Sequence, residues 1–158
     1  MQVRVGQGFD VHPFVDDAER PLVLGGVTFA SERALRGHSD ADVIAHACAD
    51  ALLGAAGLGD IGQHFPDTDP TWAGADSILL LGEATRRVRE AGWEPGNVDA
   101  SVVTDEPKLA PVRNEMQQKL TAAVGAPVTV KGRRPEGLGA LGRGEGVACW
   151  AVAVVTQP

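Results

Sequence analysis

Three residues in the first third of the chain have the types and spacing of a divided metal site. Asp10 and His12 are two positions apart, so on an extended strand their side chains would point to the same side. His46 would add a second imidazole from a helix. Two imidazoles and a carboxylate match the three protein ligands of a catalytic zinc ion, whose fourth position stays open for water or substrate. Each residue alone is typical of a turn or helix surface, but the combination favours an enzyme.

Residues next to His46 add two functional candidates, each with an ordinary alternative. Asp50 lies one helical turn after His46, so it could orient the imidazole or be an exposed helix charge. His38 and Ser39 precede the predicted helix, where free backbone N–H groups attract phosphate and both side chains could add hydrogen bonds. The alternative is an N-cap serine beside a surface histidine.

The segment 131–136 is the only dense basic patch on a chain with a net charge of −7. Arg133 and Arg134 could bind phosphate bidentately. Glu136 could hold a magnesium ion that bridges phosphates. The alternative is a solvated turn, but the contrast with the acidic remainder of the chain favours phosphate binding.

Two other segments give weaker signals. Pro107 and Lys108 lie at a strand-to-helix junction, where free backbone groups could contact a base or a phosphate. Asp60 and Asp67 lie in a loop rich in glycine, proline and aspartate. Paired carboxylates suit hydrogen bonding to a polyol, but aspartate is also an ordinary loop residue.

Bulk properties limit the functional classes. A chain of 158 residues with 44% hydrophobic residues is long enough for a core, and we predict a single domain over residues 1–158. The acidic charge argues against nucleic acid as a main partner, and an anionic substrate would need local metal ions or a basic patch. The two cysteines suggest no disulfide framework, and no leader or membrane span is visible. We therefore expect a cytoplasmic protein that does not bind membranes.

Hydrophobic periodicity with glycine and proline breaks divides the chain into strands and helices. Strands are predicted over 2–10, 98–104, 127–133 and 147–156, with a short strand pair over 22–27. Helices are predicted over 41–56, 76–91 and 107–124, with a loop over 57–70 and a glycine-rich turn over 137–146. Ser39 or Asp40 would cap the first helix.

This order predicts an α/β fold of the α+β type, a two-layer sandwich in which helices cover one face of a mixed sheet. The last strand is apolar almost throughout, so we expect it to be buried on both faces. Because one helical layer leaves the second face of the sheet uncovered, we also expect other subunits to cover that face.

Motifs over nearly the whole chain resemble one known family, the 2-C-methyl-D-erythritol 2,4-cyclodiphosphate synthases. The matching segments are 8–12, 38–46, 50–55, 59–62, 65–69, 74–77, 96–99, 107–108 and 142–146. They occur in the order expected for the family and are highly specific when taken together.

The resemblance implies a defined reaction and assembly. The substrate would be 4-diphosphocytidyl-2-C-methyl-D-erythritol 2-phosphate, whose 2-phosphate attacks its own β-phosphate. The products would be 2-C-methyl-D-erythritol 2,4-cyclodiphosphate and CMP, which makes the enzyme a phosphorus–oxygen lyase of the non-mevalonate isoprenoid pathway. The resemblance also implies a homotrimer with its sheets packed around the trimer axis and its active sites between subunits.

The resemblance also assigns site residues. Zinc would bind Asp10, His12 and His46, while Glu136 would hold Mg²⁺ or Mn²⁺ with the substrate diphosphate. His38, a predicted catalytic residue, and Ser39 would contact phosphate. The predicted contacts around the erythritol are Asp60, Ile61, Gly62, Phe65, Pro66, Asp67, Thr68 and Asp69. The predicted cytidine contacts are Thr104, Pro107, Lys108, Leu109 and Ala110. Arg143, a predicted ligand contact, and Glu145 would lie at the mouth of an axial cavity.

Two segments depart from the family pattern. A threonine-rich stretch that normally contacts the β-phosphate is replaced by residues 132–135. We hypothesise that Arg134 or Arg133 supplies this contact instead, with Arg134 as a second catalytic residue. An aromatic residue that often precedes the turn at 142–146 is replaced by Ala140 and Leu141.

Two other functions fit the same ligand set. A zinc-dependent phosphohydrolase would use the open metal position to activate water. A binding module with structural zinc would need a fourth protein ligand, because structural zinc sites are usually closed. His38 could fill that position only if it did not bind phosphate.

Overall fold

A mixed five-stranded sheet forms the centre of the molecule. The computed structural model describes residues 1–158 without a gap. The strands are β1 (Gln2–Asp16), β2 (Leu22–Leu24), β3 (Val27–Phe29), β4 (Arg33–Leu35), β5 (Glu94–Val103), β6 (Val128–Arg133) and β7 (Gly146–Gln157). The sheet has the order β4-β1-β7-β5-β6, and only β5 and β6 run parallel.

A layer of helices covers one face of this sheet, which confirms the predicted fold class. The helices are α1 (Val43–Ala56), α2 (Ile61–His64), α3 (Ser77–Glu90), α4 (Arg113–Val124) and α5 (Gly139–Gly142), with short 3-10 helices at Pro70–Trp72 and Ala110–Val112. α1 packs on β1, β7 and β5, while α3 packs on both α1 and α4. No helix is both long enough and apolar enough to cross a bilayer.

Two glycines let α1 lie directly on β1. A Cβ atom at Gly8 would come within 2.0 Å of the Ala47 carbonyl oxygen, and one at Gly6 within 2.2 Å of the Ala51 carbonyl oxygen. Only glycine permits such a close approach of strand and helix backbones. This contact fixes the position of His46 on α1 relative to Asp10 farther along β1.

The first helix begins later than predicted and has a different cap. Ala41 has a φ of 60°, in the left-handed region, so the helix cannot include it. Asp42, rather than Ser39 or Asp40, caps α1 and accepts hydrogen bonds from the backbone N–H groups of Ile44 and Ala45.

The same Asp42 carboxylate binds a hairpin that is separate from the main sheet. It accepts hydrogen bonds from the N–H groups of Gly25 and Gly26, at 2.9 and 2.7 Å, in the turn between β2 and β3. Both glycines have positive φ, as the tight two-residue hairpin turn requires. The predicted strand pair over 22–27 is therefore β2 and β3, and its turn is joined to the start of α1.

Several other boundaries differ from the prediction. The third long helix begins at Arg113 rather than Pro107, because residues 104–109 form local bonds such as Thr104 Oγ1 to the Glu106 carbonyl. The predicted loop over 57–70 contains α2, and the glycine-rich turn over 137–146 contains α5. Burial of the last strand on both faces is wrong for the single chain, since Trp150 and Val152 are exposed.

The uncovered face of the sheet is strongly apolar. Its exposed side chains come from β1 and β7 and are Val3, Val5, Phe9, Val11, Trp150 and Val152. The rings of Phe9 and Trp150 stack with their centroids 4.9 Å apart. Contiguous apolar surface of this kind is typical of an interface.

Candidate active site

The structure brings Asp10, His12 and His46 together. β1 directs Asp10 and His12 towards the helical layer, and the close packing of α1 places His46 beside them. Asp10 Oδ2 lies 3.0 Å from His12 Nε2 and 2.9 Å from His46 Nδ1. One donor atom from each residue lies within 4.8 Å of the other two, and the cluster contains no other His, Cys, Asp or Glu.

Hydrogen bonds outside the cluster select the tautomer of each histidine. His12 Nδ1 lies 2.8 Å from the Arg36 carbonyl oxygen, so it carries the proton and leaves Nε2 as a free lone pair. This buried Nε2 makes no hydrogen bond of its own. A buried lone pair without a donor, directed into a cluster with a carboxylate, fits a metal ligand.

His46 presents its other nitrogen to the cluster. Its Nε2 lies 2.8 Å from Ser77 Oγ and 3.0 Å from Ser39 Oγ. The Ser77 hydroxyl donates to Asp40 in a short hydrogen bond, so Ser77 accepts from the Nε2–H of His46. His46 Nδ1 is therefore the lone pair that faces Asp10.

The ionisation of Asp10 and His12 is coupled. Burial opposes the charge on Asp10, but the hydrogen bonds and charges of His12 and His46 lower its pKa well below the usual range. Burial also opposes a charged imidazole at His12, but the Asp10 carboxylate and the Arg36 carbonyl raise its pKa. Three closely spaced donors with one firmly ionised carboxylate fit a divalent metal ion.

Asp50 does not orient His46, so that part of the prediction is wrong. Its Oδ1 accepts a hydrogen bond from the Ile61 N–H at 3.2 Å, which joins α1 to α2. Ser77 and Ser39 take the orienting position. Ser77 was missed because it lies 31 residues after His46 and reaches it only through the packing of α3 on α1.

A cavity of about 510 Å³ opens beside the cluster. It is lined by Asp10, His12, Gly37, His38, Ser39, His46, Ile61, Gly62, Phe65, Pro66, Asp67, Trp72 and Leu80. Ten of these residues were predicted at the site or its metal, and Gly37, Trp72 and Leu80 were not. We call this space the metal-side cavity.

Three further residues of the predicted erythritol contacts do not line the metal-side cavity. Asp60 caps α2, and its carboxylate accepts the Gln63 N–H at 2.9 Å. Asp69 accepts the His38 Nε2 proton at its carbonyl oxygen, at 2.9 Å. Thr68 lies between the lining residues and Asp69 in sequence but is not part of the cavity wall.

A second cavity of about 220 Å³ lies near the basic segment. It is lined by Thr104, Asp105, Pro107, Lys108, Leu109, Ala110, Arg113, Gly132, Arg133 and Arg134. We call it the basic cavity. Arg113 and Asp105 are the lining side chains that the sequence did not indicate, since the helix was predicted to begin before Arg113.

The two cavities share no lining residue within one chain. His38 and Arg134, the two predicted catalytic residues, therefore lie in different cavities. Glu136 lines neither cavity and has a φ of 54°, in the left-handed region. Arg143 also lies outside both, and its Nε donates to Glu145 Oε2 at 2.5 Å.

The sequence model of the YgbB family matches residues 3–156. The chain belongs to the YgbB family. A Bordetella petrii protein named 2-C-methyl-D-erythritol 2,4-cyclodiphosphate synthase is 54% identical over 157 residues, covering 98% of this chain and 96% of its own length. The resemblance found in the sequence is thus confirmed.

Solved structures of YgbB-like proteins have the same fold. The bifunctional IspDF of Campylobacter jejuni superposes with a TM-score of 0.93 at 41% identity, covering 99% of this chain. This chain spans only 43% of that longer protein. The Plasmodium falciparum IspF in complex with CDP superposes with a TM-score of 0.83 at 31% identity, covering 98% of this chain and 96% of that one.

Proposed function

We propose that this YgbB-family chain converts 4-diphosphocytidyl-2-C-methyl-D-erythritol 2-phosphate to 2-C-methyl-D-erythritol 2,4-cyclodiphosphate and CMP. The observation that carries the proposal is the cluster of three donor atoms at the wall of the metal-side cavity. The names of close relatives at 54% identity support the same reaction.

In the proposed reaction an oxygen of the substrate 2-phosphate forms a bond to the β-phosphorus. The bond from the β-phosphorus to the oxygen that bridges it to the α-phosphorus breaks, and CMP leaves with that oxygen. No water is consumed and no protein nucleophile is needed. The task of the protein is to fold one anionic molecule so that its two ends meet.

Metal ions would offset the repulsion between the reacting phosphates. Asp10, His12 and His46 would hold zinc, which when bound would neutralise part of the charge of a phosphate oxygen. Glu136 would hold Mg²⁺ or Mn²⁺ together with the diphosphate, since these ions are commonly bound by one carboxylate and substrate phosphates.

Residues of the metal-side cavity would position the phosphate and the erythritol. His38 and Ser39 line the cavity next to the donor cluster and offer a ring, a hydroxyl and backbone N–H groups to the phosphate. Phe65 and Trp72 meet edge to face, with centroids 5.0 Å apart, and give the cavity a rigid apolar wall.

The basic cavity would bind the cytidine diphosphate part of the substrate. Its wall includes Lys108, Arg133 and Arg134, cations that suit a diphosphate. The CDP complex of the Plasmodium falciparum relative supports a nucleotide ligand for this fold. Arg134 or Arg133 would contact the β-phosphate where the family pattern has threonine.

We further propose a homotrimer in which each active site combines the metal-side cavity of one subunit with the basic cavity of the next. The exposed apolar face on β1 and β7 supports assembly, because burial of Phe9, Trp150 and Val152 would remove a large apolar surface from water. The separation of His38 from Arg134 in one chain supports a shared site. A cytoplasmic location remains a prediction.

Incubation of the zinc-loaded protein with the cytidyl substrate, followed by mass analysis of products, tests the function. We expect a cyclic diphosphate and CMP in equal amounts, and loss of both with a chelator. Release of inorganic phosphate instead would favour the second candidate, a zinc-dependent phosphohydrolase. The three-donor cluster with no fourth protein ligand also suits that reaction.

A further inference from the structure

Arg20 binds the back of the segment that carries His38 and Ser39. It lies in the loop between β1 and β2, and its side chain is half-buried. Its Nε donates to the Leu35 carbonyl at 2.7 Å, and its Nη2 donates to the carbonyls of Gly37 and Ser39 at 3.1 and 2.5 Å. One guanidinium thus holds three alternate carbonyl groups.

The opposite polarity is left for a ligand. The backbone N–H groups of Gly37, His38 and Ser39 donate to no acceptor within the chain. All three residues line the metal-side cavity. Successive free N–H groups in a concave wall are a common way to bind an anion. Because the three carbonyls are held by Arg20, the segment keeps its donors available.

Arg20 also places an unbalanced positive charge behind this wall. None of the ion pairs in the molecule includes Arg20. Its own loop is ordered by Asp17, whose Oδ1 accepts the N–H groups of Glu19 and Arg20, both at 3.1 Å. On a chain with a net charge of −7, a cation held at this point favours an anionic ligand.

We propose that Arg20 is a positioning residue that holds the segment 37–39 in its phosphate-binding conformation. The inference rests on the proposed function for the identity of the phosphate, but not for its chemistry. Lysine would keep the charge of Arg20 but could not reproduce the rigid fork that reaches three carbonyls. Ser39 also contacts His46 Nε2, so displacement of the segment would disturb the metal cluster as well.

The test compares Arg20→Lys and Arg20→Gln with the matched control Arg86→Lys. Arg86 is an exposed arginine whose side chain contacts only Glu83 and Glu90. We expect Arg20→Lys to lower kcat/KM for the cytidyl substrate by about tenfold or more, since hydrogen bonds with a charged donor are lost. Arg86→Lys should keep the unmodified value.

Calorimetric titration supplies a readout that general damage would not produce. Pyrophosphate should bind the zinc-loaded Arg20→Lys protein about tenfold more weakly, whereas CMP, which fits the basic cavity, should bind equally well. Added guanidinium chloride, below denaturing concentrations, should partly restore pyrophosphate binding to Arg20→Gln.

Three results would overturn the proposal. They are an unchanged pyrophosphate affinity in Arg20→Lys, equal weakening of CMP and pyrophosphate, and failure of both variants to fold, which would assign Arg20 to stability alone. If the unmodified protein makes no cyclic product, the proposed function fails, but the titrations with pyrophosphate still decide the role of Arg20.

Discussion

At the scale of single residues, the hydrogen bonds around two histidines decide which nitrogen faces the metal position. The Arg36 carbonyl holds the proton of His12 on Nδ1, and Ser77 holds the proton of His46 on Nε2. The ligand atoms are thus different nitrogens in the two rings. Outer partners of this kind fix ring orientation and are part of metal affinity.

Replacing His12 or His46 by alanine should abolish cyclisation, because each change removes one of three donor atoms. The proposed trimer should remain assembled, because the apolar face of the sheet is unaffected. Metal analysis, product analysis and light scattering check the three outcomes. Dissociation of the trimer when zinc is removed would contradict a catalytic metal and point to a structural one.

Ser77→Ala should weaken zinc binding by roughly tenfold or more, since it removes the acceptor that orients His46. Ser31→Ala is the matched control, because Ser31 is exposed and its hydroxyl only accepts the Arg33 N–H. Competition with a zinc-binding dye measures the affinity. Equal zinc affinities for the two variants would rule out the orienting role of Ser77.

At the scale of elements, α3 supports the wall of the metal-side cavity. Arg87 on α3 donates to His64 Nδ1 at 2.9 Å, and its guanidinium lies 4.8 Å from the centroid of the Phe65 ring. Glu83 holds Arg87 through a 2.9 Å ion pair. The cavity wall around α2 is therefore anchored by a helix that contributes only Leu80 to its lining.

Glu83 should contribute a pH-dependent part of the stability. Hydrogen bonds and charge from Arg86 and Arg87 lower the pKa of Glu83 to about 2 from an ordinary 4.5. A lowered pKa stabilises the fold above pH 4.5, and this contribution is lost as the pH falls towards 2. Solvent screening limits it to about 0.2–1 kcal/mol.

Urea unfolding of the native protein and of Glu83→Gln between pH 2 and 7 measures this contribution. The two free energies of unfolding should differ at neutral pH and converge as the pH falls through the range between 4.5 and about 2. A difference that stays constant over this range would contradict the assignment.

Gly8→Ala should destabilise the fold strongly, because the new Cβ would lie 2.0 Å from the Ala47 carbonyl oxygen and push α1 off the sheet. Gly82→Ala is the matched control within α3, where the nearest atom would be 4.0 Å away. That change should stabilise by about 0.5–1 kcal/mol, as alanine does in helix interiors. Thermal unfolding distinguishes the opposite signs, and similar effects of both changes would contradict the packing argument.

At the scale of the whole molecule, neither cavity contains all the predicted catalytic groups, and only assembly would complete the site. A protein with His12→Ala and a protein with Lys108→Ala should each be inactive or weak alone. Random mixed trimers should recover activity at about one quarter of their sites, where two intact cavities meet. No recovery in mixed trimers would show that one chain forms the whole site.

The sequence was sufficient for the parts of the structure that depend on local patterns. Alternation and helical spacing predicted the main strands and helices, and residue types predicted Asp10, His12 and His46 as one group. Parts that depend on packing between distant elements were missed. Three candidates for the N-cap of α1 were adjacent, and the choice of Asp42 depended on the hairpin turn at Gly25 and Gly26.

The segment from Phe9 to His12 places two different surfaces on alternate residues of one strand. Asp10 and His12 point to the helices, while Phe9 and Val11 point outward. A slip of β1 by one residue would exchange them, exposing the ligands and burying the aromatic ring. Gly8 forbids this slip, because no larger residue fits beneath Ala47. The glycine thus acts as a register lock, so that a chain able to present its assembly face has already directed its metal ligands inward.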